Sequence, residues 1–140
     1  SFKETSSKEI ILVSDNDKNK IDIKRSAEMI YGLRNFIGNA IKFSKSTVNI
    51  FLTSNDKEIK ITVNDDGPGF PKDIINKLGE PYIKSRLLEL NSNPGLGLGT
   101  FLGKTLLERQ NAKLSFKDDK NLGGASVVIS WSPKNILLQG

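Results

Sequence analysis

The chain of 140 residues contains neither cysteine nor histidine. Without cysteine there are no disulfides, no thiolate metal sites and no cysteine nucleophile. Without histidine, zinc sites built on imidazole and Ser–His–Asp chemistry are excluded. Long apolar runs are missing too. Near the start the longest is Ile10 to Val13, too short for a signal-peptide core or a membrane span. No basic block alternates with aromatics. The net charge of +5 (21 Lys+Arg against 16 Asp+Glu) is spread along the chain, compatible with phosphate-bearing ligands but carrying no nucleic-acid signature. What is present, 36% hydrophobic and 26% charged residues, reads as one soluble globular domain. At this length the chain can bury well over half of its unfolded surface.

Strands are expected at Lys8–Val13 and Ile21–Lys24, with Asp15 to Asn19 turning between them. A long helix follows, with Ser26 as N-cap and an end near Ser44. Ile30, Leu33, Ile37, Ala40 and Ile41 recur at three- and four-residue spacings and predict its buried stripe. Val48, Ile50 and Leu52 alternate, as do Ile59, Ile61 and Val63, with Glu58, Lys60 and Thr62 turned to a wet face. Asp65 to Pro71 breaks the alternation, and a short helix is expected at Lys72–Leu78. Gly79 to Pro94 lacks a regular pattern, and a loop that long inside a compact domain is usually functional. A second helix from Gly99 to about Gln110 has Leu102, Leu106 and Leu107 as its stripe. Strands at Ala112–Lys117 and Ala125–Trp131 close the chain, with a turn at Asn121 to Gly124. The sum is a two-layer α+β sandwich, with helices on one face of a mixed, mostly antiparallel sheet.

Three groups of residues carry candidate chemistry. Asn35, Asn39 and Lys42 line one face of the long helix, opposite the apolar stripe. Carboxamide oxygens suit Mg²⁺, and a lysine one turn on meets phosphate as a point charge. An ordinary solvated helix face has the same composition. In NDDGPGF (Asn64 to Phe70) a strand ends in a carboxylate followed by Gly67-Pro68-Gly69. Such a carboxylate can accept a hydrogen bond from an exocyclic amine, and the glycines let a flat ligand approach; an Asp-Gly turn reads the same way. In PGLGLGT (Pro94 to Thr100) alternating glycines open a helix, which is an anion cradle or a flexible hinge. Gly103-Lys104-Thr105 is not the end of a phosphate-binding Walker loop. That motif needs glycine where Leu98 stands, and Lys104 falls within a helical pattern. The Gly95–Gly99 run is not a dinucleotide fingerprint, which would want glycine at Thr100.

The order of these groups resembles the ATP-binding catalytic domain of sensor histidine kinases. These belong to the wider group, with the Bergerat ATP-binding fold, that includes gyrase, the ninety-kilodalton heat-shock chaperones and MutL. LRNFIGNAIKFS (Leu33 to Ser44) resembles the asparagine box, VNDDGPGF (Val63 to Phe70) the first glycine box and PGLGLGT the second. GEPYIKSR (Gly79 to Arg86) resembles the segment that opens the ATP lid. Together with GLGLGTFLGKTLLER and GGASVVISW, it resembles the RegB/PrrB/ActS type of redox-sensor kinase. The likeness runs from about Lys8 to Trp131. It implies a catalytic domain at 8–133, with 1–7 disordered or the end of a linker and 134–140 a C-terminal tail.

The resemblance implies ATP and Mg²⁺ as cofactors. Asp65 corresponds to the acceptor of the adenine amine, and Gly67 and Gly69 to the pocket wall. Asn39 corresponds to the Mg²⁺ ligand, with Asn35 near the phosphates and Lys42 contacting them. Gly95, Leu96, Gly97, Leu98, Gly99 and Thr100 would wrap the triphosphate, and Tyr82, Lys84 and Arg86 stand where the lid begins. In hydrolysing relatives a glutamate occupies the position of Asn35, and asparagine is no general base. ATP is therefore expected to be held for an incoming nucleophile. Since the chain has no histidine, the acceptor is expected on a separate dimerisation domain, normally upstream, with a response regulator beyond it. Leu87, Leu88 and Leu90 either contact that partner or pack under the lid. The implied setting is the cytoplasmic portion of an inner-membrane sensor. The rivals are an anti-sigma-type serine kinase of the same superfold and an ATP-binding module without catalysis.

Overall fold

The computed structural model describes residues 8–14, 26–70, 97–118 and 121–136. Helix α1 spans Ala27–Phe43. It starts where the Ser26 hydroxyl accepts a hydrogen bond from the Met29 N–H (3.1 Å), relieving one orphan donor of the first turn. It stops at Ser44, whose N–H still reaches the Ala40 carbonyl (2.9 Å) while its own backbone is extended. Lys8 caps the same end, its Nζ lying 2.6 Å from the Ile41 carbonyl. A cation on the last carbonyls of a helix is favourably placed.

The five-stranded sheet comprises β1 (Glu9–Ser14), β2 (Thr47–Ser54), β3 (Ile59–Asp65), β4 (Lys113–Asp118) and β5 (Ala125–Trp131) in the order β1-β2-β3-β5-β4. Only the β1–β2 pairing is parallel; the others are antiparallel. Helix α2 (Gly97–Arg109) packs against α1, while α1 lies over β2 and β3 and α2 reaches β4. A four-residue helix α3 (Pro133–Ile136) follows β5. Register puts Asp65 opposite Val48 and, one step past the Asn64–Ser126 pair, beside Ala125. The end of β3 thus lies where the chain leaves the turn before β5.

The core forms between the sheet's helix side and the two helices. Phe36, Ile59, Leu107, Ile129 and Trp131 are buried together, with Phe116 packed on Phe36 at a ring separation of 5.7 Å. Burial of each such side chain contributes roughly 1.5–3 kcal/mol. Two glycines let the helices touch. A Cβ on Gly32 would lie 2.5 Å from Leu107 Cγ, and one on Gly103 would lie 3.2 Å from Asn35 Oδ1.

Some sequence expectations shift. On α1 the buried line is Met29, Gly32, Phe36 and Ala40, one residue round from Ile30, Leu33, Ile37 and Ile41, which are half-buried. The helix is shared between sheet and α2, so its buried face is wider than one stripe. For the same reason Asn35 and Asn39 do not lie on a face opposite the core: they border the α1–α2 seam. Helix α2 begins two residues earlier than expected, at Gly97, and its deepest side chains are Phe101 and Leu107, with Leu102 and Leu106 half-buried. The outer sheet face is not wholly wet. Asn49 and Asn64 are cross-strand partners with buried Oδ1 atoms that accept no hydrogen bond among the described residues, and Ser126, paired with Asn64, is buried. The strand expected at Ile21–Lys24 and the helix at Lys72–Leu78 lie outside the described residues.

Candidate functional site

Alternation along β3 sends Ile59, Ile61, Val63 and Asp65 to one side, so a carboxylate ends a row of core residues. Asp65 is only 5% exposed. Its Oδ1 accepts the Gly67 N–H at 2.8 Å and the Ala125 N–H at 3.3 Å. A carboxylate held by backbone donors is fixed in orientation. The surrounding backbone is packed to the limit of what glycine permits. A Cβ on Gly67 would overlap the Phe43 carbonyl oxygen, and one on Gly124 would overlap Asp65 itself and come within 2.6 Å of the Gly67 nitrogen. Gly69 has φ +81°, and Asp118 at the end of β4 closes the loop from its other side, 2.7 Å from where a Cβ would sit.

The next carboxylate, Asp66, has a different task. It accepts N–H groups from Lys45 (2.8 Å), Ser46 (3.1 Å) and Thr47 (3.2 Å), together with the Ser46 hydroxyl (2.8 Å). Burial pushes its carboxyl pKa up, but the Ser46 N–H and hydroxyl and the N–H groups of Thr47 and Lys45 outweigh that and hold it at about 2. Asp66 thereby ties the α1–β2 turn to the end of β3.

One turn back along α1, Asn39 donates through Nδ2 to Thr100 Oγ1 (3.0 Å) and to Asn35 Oδ1 (3.3 Å). Thr100 is buried at 1% exposure, in the first turn of α2. Both Nδ2 hydrogens are thus spent inside the seam, which leaves the Asn39 carbonyl oxygen as the atom to meet a cation. The backbone of Gly97, Leu98 and Gly99 forms the start of α2, where N–H groups lack intrahelical acceptors. Among the described residues no acidic side chain bonds to Asn35 or Asn39, and no cluster of three His, Cys, Asp or Glu exists. A cation here would therefore meet neutral oxygens and need anionic ligand oxygens besides, which suits Mg²⁺ carried by a triphosphate.

The structure thus brings together Asn35, Asn39 and Thr100 across the helix seam, and Asp65 with Gly67 at the end of β3. Lys42 is exposed in the last turn of α1, its Nζ 5.2 Å from the Phe43 ring centroid. Lys104 lies within α2 and pairs with Glu108 at 2.9 Å, in keeping with its dismissal as a phosphate-loop lysine. Tyr82, Lys84, Arg86, Gly95 and Leu96, and the leucines at 87, 88 and 90, lie outside the described residues. Sequence reasoning missed Gly124 and Asp66. Gly124 reads as half of a hairpin turn, and only the pairing of β3 with β5 brings it to Asp65.

Residues 25–135 match the family of histidine kinase-, DNA gyrase B- and HSP90-like ATPases. The chain belongs to this family and is an ATP-binding catalytic domain of the kind found in sensor histidine kinases. It is 43% identical over 105 residues to the sensor histidine kinase RegB of Cereibacter sphaeroides, across 71% of this chain and 23% of that protein. It is 28% identical over 101 residues to the sensor histidine kinase CpxA of Escherichia coli, covering 72% of this chain and 22% of CpxA. The chain thus spans about a quarter of the length of the curated relatives it matches. In fold it is similar to the catalytic domain of histidine kinase ThkA (TM-score 0.70, 17% identity, 96% of this chain and 84% of that one). It is also similar to the mycobacterial sensor histidine kinase MprB (TM-score 0.66, 20% identity, 92% and 84%). Among the described residues no helix is long and apolar enough to cross a membrane.

Proposed function

We propose that the chain binds Mg-ATP along α1 and surrenders the γ-phosphoryl group to a histidine on a separate dimerisation segment. The observation that carries this is the neutral Asn35–Asn39–Thr100 array one helical turn before Phe43, whose carbonyl abuts Gly67 beside the hydrogen-bonded carboxylate of Asp65. Asp65 receives the adenine amine, with Gly67, Gly69 and the neighbouring Gly124 keeping the wall thin. The first-turn amides at Gly97, Leu98 and Gly99 face the phosphates, and Lys42 adds a cation. Gly95 and Leu96 extend that wrap, and Tyr82, Lys84 and Arg86 belong to the lid. Mg²⁺, when bound to the Asn39 carbonyl, neutralises charge on the phosphate oxygens. In the transfer, the bond from γ-phosphorus to the bridging oxygen breaks as a bond to the acceptor nitrogen forms, and ADP leaves with the electron pair.

Asn35 stands where a hydrolase would need a base, and asparagine cannot take a proton from water. Positioning, rather than activation of water, is then what the site supplies. The reading extends to a cytoplasmic module of a membrane-attached sensor whose phosphohistidine serves a response regulator, with residues 8–133 as its catalytic unit. Titration calorimetry with and without Mg²⁺, on the native chain and on Asp65→Ala, tests the nucleotide site. Tight binding to the native chain and a sharp loss in the variant are expected; equal affinities sink the assignment of Asp65. Fast ATP hydrolysis by the native chain would sink the transfer reading, and acid-stable phosphate on the acceptor would favour a serine kinase.

A further inference from the structure

Helix α1 ends against the proposed base pocket, so what holds its last turn bears on the nucleotide. The final carbonyls of a helix have no intrahelical donor and need partners from elsewhere. Here the Ile41 carbonyl accepts the Ser44 hydroxyl (3.0 Å) and the Lys8 ammonium (2.6 Å). The Lys42 carbonyl accepts the same ammonium more weakly, at 3.4 Å. The Phe43 carbonyl is turned to Gly67, where a Cβ would overlap it. Gly67 in turn donates its N–H to Asp65 Oδ1 at 2.8 Å. Direct contacts therefore run from Lys8 through the last turn of α1 to Gly67 and Asp65.

Lys8 makes this contact across a sequence separation of 33 and is half-buried. It has no ion pair among the described residues. Its charge is committed to the helix end, where the macrodipole favours a cation. The next residue fixes the turn at a second point, the Glu9 N–H donating to the Ser46 carbonyl at 2.7 Å. Asp66 grips the same turn from the end of β3 through the Lys45, Ser46 and Thr47 N–H groups. The phosphate end of the site is held by different means, because Asn39 is bonded across the seam to Thr100 Oγ1 (3.0 Å). Loosening the last turn of α1 thus moves the wall of the base pocket and leaves the asparagine array in place. We infer that Lys8 is a positioning residue for the nucleotide: by holding the end of α1 it sets Gly67, and through Gly67 the direction of the Asp65 carboxylate. β1 then belongs to the nucleotide site, although none of the three boxes includes it. This rests on the proposed seating of adenine at Asp65.

The test compares the native chain with Lys8→Met, which keeps the apolar stem and removes the ammonium, and with Lys8→Arg, which keeps a cationic donor. Titration calorimetry well below the melting temperatures is expected to show ATP binding about fivefold weaker in Lys8→Met, the low end of couplings between separate sites. The ratio of affinities with and without Mg²⁺ should stay as in the native chain, and Lys8→Arg should restore native affinity. Amide NMR of the nucleotide-free chain gives an independent readout. The Gly67 and Ala125 N–H groups both donate to Asp65, so their signals should move in Lys8→Met and return in Lys8→Arg. Native ATP affinity in Lys8→Met, or unmoved Gly67 and Ala125 signals, reduces Lys8 to a helix cap and overturns the inference. A loss confined to the Mg²⁺-containing medium overturns it as well. If Asp65→Ala binds ATP as the native chain does, the adenine reading fails instead, and the Gly67 signal then decides by itself whether Lys8 sets the loop.

Discussion

Substituting Gly124 by alanine tests the proposed adenine pocket through a residue that need not touch the ligand. The added methyl would overlap the backbone oxygen and Oδ1 of Asp65 and lie 2.6 Å from the Gly67 nitrogen. Carbon–oxygen contacts settle at about 3.3–3.6 Å, so something must yield by about 1 Å. None of the three atoms is the free end of a flexible side chain. Because two of them are backbone, the end of β3 must shift away from the turn while the Asp65 carboxylate rotates, and that breaks the 2.8 Å bond from the Gly67 N–H. Overpacking plus one weakened charge-assisted hydrogen bond amounts to about 2–3 kcal/mol. For a chain of this size that lowers the melting temperature by roughly 6–12 °C. The neighbouring glycine is the control. Gly123 has φ +86° and open space around its Cβ position, so Gly123→Ala costs only the left-handed backbone, about 1 kcal/mol. Thermal unfolding followed by circular dichroism and ATP titration by calorimetry are run on both variants. The expected result is that Gly123→Ala binds ATP as the native chain does, while Gly124→Ala loses at least tenfold in affinity below its lowered melting temperature. If Gly124→Ala is folded and binds ATP within twofold of native, the orientation of Asp65 does not set the pocket and the reasoning is refuted.

The helix seam predicts opposite effects at two glycines of α1. Gly32→Ala drives a methyl into Leu107 (2.5 Å from Cγ) and should destabilise by about 1–2 kcal/mol in chemical denaturation. Gly38→Ala meets nothing within 4 Å and should stabilise by about 0.5–1 kcal/mol through helix propensity. Asp66 should make stability pH-dependent. Its folded pKa of about 2 lies below the ordinary 3.8, so its contribution is whole above about pH 4 and is lost as pH falls toward 2. The full shift corresponds to roughly 2 kcal/mol at 1.36 kcal/mol per unit, discounted to about 1 kcal/mol for a carboxylate open to solvent. Asp66→Asn should flatten the denaturation midpoint across that acid window, and an unchanged slope counts against the clamp. Asn39→Ala should abolish the Mg²⁺-dependent part of ATP affinity and spare most binding in EDTA; an equal loss in both media would deny it a metal role. Asn35→Glu should introduce slow ATP hydrolysis, read by phosphate release, and its absence weakens the argument from the missing base.

Local chemistry in the sequence places elements well and partners poorly. The Ser26 cap, the Ser44 stop and the alternation from Val48 to Val63 are set by neighbours a few residues away, and α1, β2 and β3 stand where that chemistry puts them. What periodicity alone does not reveal is how many surfaces a helix must satisfy. The spacing of Ile30, Leu33, Ile37 and Ile41 describes contact with one layer, yet α1 serves two. The second layer recruits Gly32 for Leu107 and Asn39 for Thr100. Asparagines that look solvated in isolation become half-buried because α2 returns from sixty residues away. Gly124 is obscure for the same reason. A glycine pair before a strand reads as a hairpin turn until the antiparallel register of β3 and β5 sets Asp65 beside Ala125. In the proposed site the recognisable boxes supply the ligand-facing groups, whereas the groups that hold them in place come from distant segments with no local signature. Lys8 on the Ile41 carbonyl and Asp66 on the Lys45–Thr47 amides are of that second kind. Both grip the C-terminal end of α1 and the turn that follows it. Displacing either should therefore disturb nucleotide binding through the position of α1, without removing any atom that contacts ATP.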